Sequence, residues 1–294
     1  MQDGSSPSRS PYVPLLLGVA CVSSGSILVR LAQAPALAVS FQRVFLASLL
    51  LAPFALRPLL RGLPRLGPGQ RIALVGCGVA LAVHFATWIA SLSYTSVASS
   101  VLLVNTAPLF SIGFSRLFLH ESVPRRVVLA TALALVGAAL VAAGDWGEGA
   151  HSLVGDGLAV AGAVALSAYH VIGRGLRGSL PLHAYVLAVW SASAVALALM
   201  AVSLSVPLWD YPARTFVVFG ALALLPMLGG HGLVNVSLRL LPAPTVGLFL
   251  LGEPVGATLL ALMLLGEVPN VLTILGGGIV IGALALAVVE PPPS

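Results

Sequence analysis

The side chains able to do chemistry in this chain are few, and they fall at helical spacings inside apolar runs. His84, Trp88 and Ser91 stand at i, i+4 and i+7, one face of a helix. His231 and Asn235 stand at i, i+4 in a second run. Ser167, Tyr169 and His170 share a third, Asn105 precedes Pro108 in a fourth, Glu253-Pro254 interrupts a fifth, and Arg43 lies alone in a sixth. A π-surface beside a hydrogen-bonding imidazole suits a small zwitterion or an aromatic side chain, and Tyr169 offers stacking or a hydroxyl. His84 also titrates near neutrality, which makes it a candidate proton carrier. Glu253 can be protonated, pair with Arg or His, or attract an amino group. Arg43 is costly unless paired, snorkelling to an interface or binding a carboxylate. Pro108 and Pro254 each remove a backbone hydrogen bond and predict kinks that act as hinges or are purely structural. Every one of these polar groups also has a plainer reading as glue between helices, and the sequence leaves that choice open.

Other chemistries lack their signatures. No phosphate-binding glycine loop with Gly-Lys-Ser/Thr, no His-Glu-x-x-His and no Gly-x-Ser-x-Gly occurs. No cofactor, no metal and no direct use of ATP is therefore expected. An intramembrane enzyme would need a nucleophile–base or metal constellation, and the spaced His84, His170 and His231 are a poor one. Cys21 and Cys77 lie inside apolar runs and read as packing residues. Gly18-Val-Ala-Cys21 is only a loose match to a lipoprotein cleavage site, so the first helix is read as retained.

The elements that must position these residues follow from composition. Of 294 residues 59% are hydrophobic and 8% charged, with a mean hydropathy of +1.06. A soluble domain carries about a quarter charged residues, so the chain is an all-α membrane protein. The net charge of +5 comes from fourteen Arg spread between apolar spans, which excludes nucleic acid as a partner. About 20 apolar residues cross the hydrocarbon core. Ten such segments are expected, at 12–31, 37–57, 71–91, 96–118, 125–143, 154–175, 183–204, 214–237, 244–265 and 270–289. Residues 1–11 read as a disordered cytoplasmic tail, and the polar stretch Gly144 to Gly155 as the joint between two halves, 12–144 and 154–290.

The halves repeat each other. Pro108, Leu119-His-Glu121 and Gly137 of the first recur as Pro254, Leu265-Gly-Glu267 and Gly282 of the second. The prolines lie 146 apart (254 − 108), as do the glutamates (267 − 121). Ser23 and Ser167 match at an offset of 144 (167 − 23). Five spans per copy force the second copy to enter the membrane from the opposite side, and the arginines agree. The turn at Glu121 carries Arg116, Arg125 and Arg126, whereas the turn at Glu267 carries none. With both termini cytoplasmic, eleven of the fourteen arginines fall on the inner side. Inverted repeats of this kind are the architecture of carriers with a site near mid-membrane. Glu121 and Glu267, at the turns, read as caps of the helices that follow.

These residues give the chain a family likeness. Phe41-Gln-Arg43-Val-Phe-Leu-Ala47, Pro108 with Leu119-His-Glu121, and Glu253-Pro254 with Leu265-Gly-Glu267, each Glu followed by a glycine-rich helix, resemble the drug/metabolite transporter superfamily, EamA type, along nearly the whole chain. Within it the chain looks most like the aromatic amino acid exporter (YddG-like) branch. The resemblance implies a non-enzymatic exporter of amino acids or related metabolites in the bacterial inner (plasma) membrane, with efflux of drugs or organic cations such as methyl viologen as the alternative. The expected substrate-binding residues are His84, Trp88, Asn105, Tyr169, His231, Asn235 and Glu253, with Pro108 and Pro254 as hinges. The expected partners are a small-molecule substrate and the lipid bilayer, with a monomer as the working unit and the oligomeric state left open.

Overall fold

A computed structural model describes residues 11–95, 97–144, 153–176, 178–265 and 268–288. The amino-terminal tail, most of the Gly144–Gly155 joint, Arg177 and Glu267 lie outside these residues. Within them the chain is helical, with no strand. In hydrocarbon no water is at hand for backbone N–H and C=O groups, and the helix pairs them within one segment. In chain order the α-helices are α1 (Tyr12–Val22), α2 (Gly25–Ala32), α3 (Ala36–Gly62), α4 (Pro68–Ser91), α5 (Val97–Val104), α6 (Ala107–Phe118), α7 (Arg125–Gly144), α8 (Leu153–Gly175), α9 (Leu182–Ser203), α10 (Ala213–Leu222), α11 (Gly232–Leu240), α12 (Ala243–Leu250), α13 (Glu253–Leu265) and α14 (Val271–Val288). A π-helical stretch, Ala223–His231, joins α10 to α11.

By length and composition, eight stretches among the described residues are able to cross a membrane, including Tyr12–Ala32, Ala36–Arg65, Ser100–Phe118 and Ala213–Leu240. Val271–Ala287 is a shorter apolar helix. Several of these rods are broken partway along. α1 gives way to α2 at Ser23-Ser24, α5 to α6 at Asn105-Thr106, and α12 to α13 at Leu251-Gly252. Pro108 and Pro254 each stand at the second position of the helix that resumes. There a missing N–H is harmless, because the first helical donors have no intrahelical acceptor. The expected proline kinks are thus clean interruptions.

The halves are stitched together at those interruptions. Ser167 Oγ of α8 donates to the Ala107 carbonyl at 2.5 Å and shares itself with its own Ala163 carbonyl at 2.9 Å. Ser23 Oγ of α1 donates to the Glu253 carbonyl at 3.2 Å and to its own Val19 carbonyl at 2.8 Å. Ala107 and Glu253 each immediately precede a break proline, so the same bond is made twice, once from each half to the other.

Small residues let the equivalent helices meet. A Cβ on Gly162 of α8 would lie 3.2 Å from Trp88 Cβ of α4. A Cβ on its counterpart Gly18 of α1 would lie 3.3 Å from both the Gly230 carbonyl oxygen and Leu233 Cβ. Gly247 of α12 rests on Pro108 of α6. α7 and α14 also approach closely: a Cβ on Gly137 would lie 2.7 Å from the Gly276 carbonyl oxygen. α4 and α8 run antiparallel, since Trp88 meets Gly162 while Cys77 Sγ reaches the Tyr169 carbonyl at 3.5 Å. Two buried clusters result. One joins α3, α4, α9 and the π-helical stretch around Phe85, Trp190, Phe219 and Met227. The other joins α1, α7, α11, α12 and α14 around Leu15, Leu238 and Phe249.

Overpacking the α7–α14 seam is expected to cost about 1–3 kcal/mol, so Gly137→Leu lowers the unfolding midpoint of the detergent-solubilised protein. Gly113, with nothing within 4 Å of a built Cβ, is the control. Gly113→Ala is expected to stabilise by about 0.4–1 kcal/mol. Thermal scans by circular dichroism check both, and an unshifted midpoint for Gly137→Leu would show that the seam is not close-packed.

Candidate functional site

A cluster of rings forms where α4, α8 and the π-helical stretch converge. His84 and Trp88, one turn apart on α4, lie parallel with ring centroids 5.9 Å apart and an interplanar angle of 2°. His84 Nδ1 is 3.0 Å from the Gly162 carbonyl, and a neutral imidazole with its proton on Nδ1 donates there. Phe85 stands edge-on to His231 at 5.2 Å, and Tyr169 packs against both His231, at 6.3 Å, and His170, at 5.3 Å. Asn235 Nδ2 donates to the Tyr169 hydroxyl at 2.6 Å and to the His231 carbonyl at 2.7 Å. Of the residues singled out from sequence, His84, Trp88, Tyr169, His231 and Asn235 are therefore brought into one buried group. Trp88 Nε1, His231 Nδ1 and both nitrogens of His170 are buried without a hydrogen-bond partner.

Glu253 opens α13 at the α12–α13 break, where the positive end of the helix dipole favours its charge. It keeps partial solvent access although its neighbours Gly252 and Pro254 are buried. Asn105 stands apart, at the equivalent break in the first half. It is buried, with Nδ2 unpartnered, and no side-chain hydrogen bond ties it to the rings.

Arg43, read from sequence as paired, snorkelling or carboxylate-binding, lies against the ring group. Its guanidinium carbon lies 4.1 Å from the centre of the Phe85 ring, and the side chain is 2% exposed. It does not snorkel. Gln42, its neighbour, spends its amide on the Leu208 carbonyl at 2.6 Å. The signal was there in the cost of a lone charge in an apolar span. Phe85 and Tyr185 carried no such signal. Tyr185 joins the group through Cys77, at 3.2 Å from hydroxyl to sulfur, and looked like any other apolar-run aromatic.

The two ends of the bundle differ. At the end where α8 finishes, Arg174 Nε pairs with Glu121 at 3.1 Å while Nη1 donates to the Leu238 carbonyl at 3.1 Å. Arg239 donates to the Leu180 carbonyl at 2.7 Å. Glu121 thus meets an arginine of the other half, beyond the capping role its position suggested. At the opposite end a cleft of about 380 Å³ is lined by Val29, Arg30, Gln33, Ile89, Leu92 and Ser93 among others. That size lies in the range of small-molecule sites, and its lining includes Ile89, which follows Trp88 on α4. Among the described residues no group of three or more His, Cys, Asp or Glu is arranged to hold a metal ion.

The profile of the EamA-like transporter family matches residues 10–143 and again residues 153–289. In total, 29 chains of solved structures match. One crystal structure aligns with a TM-score of 0.74 over 95% of this chain and 96% of that chain, at 18% identity. At that identity the likeness speaks for the fold alone. A search of curated proteins finds no match.

Truncating Asn235 strands the Tyr169 hydroxyl in apolar surroundings, so Asn235→Ala is expected to cost about 1–3 kcal/mol. Tyr169→Phe leaves Asn235 its bond to the His231 carbonyl and is expected to cost about 1 kcal/mol. Thermal unfolding in detergent ranks the two. The opposite order would mean that the hydroxyl already has another partner.

Proposed function

We propose, from the premise that the chain belongs to the EamA-like transporter family, that it is a secondary transporter exporting amino acids, aromatic ones among them, or related small metabolites by alternating access. Membership makes it a multi-pass membrane carrier of small molecules. The amino acid cargo, the kinship with the aromatic amino acid exporters and the outward direction are our reading. So are the bacterial inner membrane, the ten spans as two inverted five-helix halves, 12–144 and 154–290, and the cytoplasmic termini. The working unit is read as a monomer.

The observation that supports this reading is the buried polar group shared by the two halves, with Arg174–Glu121 joining the halves at one end of the bundle and a cleft at the other. Polar side chains in a membrane interior are costly and mark the path of a substrate. By the arginine count the tied end is cytoplasmic and the open cleft faces outward. Substrate would meet His84, Trp88, Asn105, Tyr169, His231, Asn235 and Glu253. The halves then rock about the interruptions at Pro108 and Pro254, where no continuous helix resists bending. A second reading, efflux of organic cations, draws on Glu253, a half-buried acidic residue at a helix break.

Purified protein in proteoliposomes is expected to show saturable uptake of labelled amino acids, accelerated by unlabelled amino acid inside. No flux above empty vesicles across amino acids and quaternary amines would overturn the carrier reading, and ohmic currents without counterflow would point to a channel. A gating outcome is expected as well. Cys77 is buried between the site and the tied end, so Arg174→Gln in a Cys21→Ala background should speed maleimide labelling of Cys77 several-fold. An unchanged rate would mean that the Arg174 contacts do not hold that end closed.

A further inference from the structure

We propose that His231 is the imidazole of the ring group that hydrogen-bonds the polar head of the substrate, and that His84, its match in the sequence repeat, is spent on holding two helices together. The inference rests on the carrier reading above and separates two residues that the reading treats alike.

The two halves build the same seam differently. In the first, a Cβ on Gly162 of α8 would lie 3.2 Å from Trp88 Cβ of α4. His84, one turn before Trp88, closes that seam from Nδ1 to the Gly162 carbonyl at 3.0 Å. In the second, a Cβ on Gly18 of α1 would lie 3.5 Å from Val234 Cγ2, and one on Gly230 would lie 3.5 Å from the Gly18 carbonyl oxygen. Val234 therefore stands where Trp88 stands and Gly230 where His84 stands, each 146 residues on (234 − 88, 230 − 84). The histidine comes one residue later, at His231, the last residue of the π-helical stretch. One residue along such a rod swings a side chain by about a quarter of a turn. The mirror position has no room for it, because a Cβ on Gly230 would collide with Val22 Cγ1.

Turned off the seam, His231 faces the rings. It meets Phe85 of the first half edge-on at 5.2 Å and Tyr169 of the second at 6.3 Å. Asn235 fixes its backbone by donating to the His231 carbonyl at 2.7 Å. Nδ1, the atom that His84 spends on Gly162, has no hydrogen-bond partner in His231, whose side chain is 8% exposed. A buried ring nitrogen left unpaired carries a desolvation penalty that a bonding ligand removes. His170 is unpaired too, but it is fully buried and its ring contact is with Tyr169 beside it. His231 touches rings of both halves, so a polar head bonded at its Nδ1 sits between the two bodies that must move.

The test is counterflow of labelled L-phenylalanine in proteoliposomes, or of another labelled amino acid where phenylalanine is not carried. His231→Ala is expected to raise the half-saturating concentration about tenfold, the worth of one hydrogen bond to a charged head group, with a smaller effect on the maximal rate. His231→Asn, whose amide sits at the Nδ1 position, should recover to within about threefold of wild type. His231→Gln, whose amide reaches the Nε2 position instead, should not. His84→Ala should lower the unfolding midpoint in detergent and raise the half-saturating concentration less than His231→Ala does. Equal losses for the two alanine variants, no loss in His231→Ala, recovery with Gln rather than Asn, or failure of every His231 variant to reach the membrane overturns this assignment while leaving the carrier intact. Absence of wild-type counterflow with L-phenylalanine and with every other amino acid overturns both.

Discussion

A broken helix inside a membrane is affordable only if the backbone groups it frees find other partners: Thr106 N–H reaches the Leu103 carbonyl and Leu251 N–H the Leu248 carbonyl at the breaks, and two serines pin the helices that resume. Ser167 and Ser23 reach across from the first helix of one half to the interrupted fourth helix of the other, each bonding the carbonyl just before a break proline. Each hydroxyl has one proton, shared between that carbonyl and the one four residues back. The interruptions are thus tolerated and held in place relative to the opposite half. The position of Glu253 and the resumption of α6 and α13 depend on this pair of contacts.

Around that frame, packing and polarity divide the work. Glycine contacts such as Gly137–Gly276 and Gly162–Trp88 bring backbones close enough for dispersion to hold the helices, since lipid offers no hydrophobic drive for helices to associate. The charged and aromatic residues are then free for other use. Rings from α4, α8 and the π-helical stretch meet in one buried group, Arg43 stacks on its Phe85, and Arg174 pairs with Glu121 across the halves at one end.

Much of this was legible beforehand. Ser23 and Ser167 were matched by a constant offset before either had a partner, because duplication preserves spacing even where side-chain roles are invisible. The imidazole and aromatic residues stood out because polar groups in apolar runs are rare. Arg43 stood out for the same reason, but its location was underdetermined: a long side chain can reach an interface or turn inward, and only the packing of Phe85 beneath it shows which. Asn105 had the same signal and sits apart, since helical position says nothing about which neighbour a face will meet. Glu121 looked like a cap because its partner, Arg174, is 53 residues away in sequence, and contacts of that kind leave no local trace.

The π-helical stretch in the eighth span alters the register of the duplication. α4 begins at Pro68 and α10 at Ala213, 145 residues on (213 − 68), yet His84 answers to His231 at 147 (231 − 84). Two residues are absorbed within one rod. The nine residues from Ala223 to His231, wound with i→i+5 bonds, take up that surplus by holding one more residue in each turn. The matching rod α4 runs unbroken from Pro68 to Ser91, so the two copies wind the same span differently, and the second carries a softer turn where the first is a regular helix.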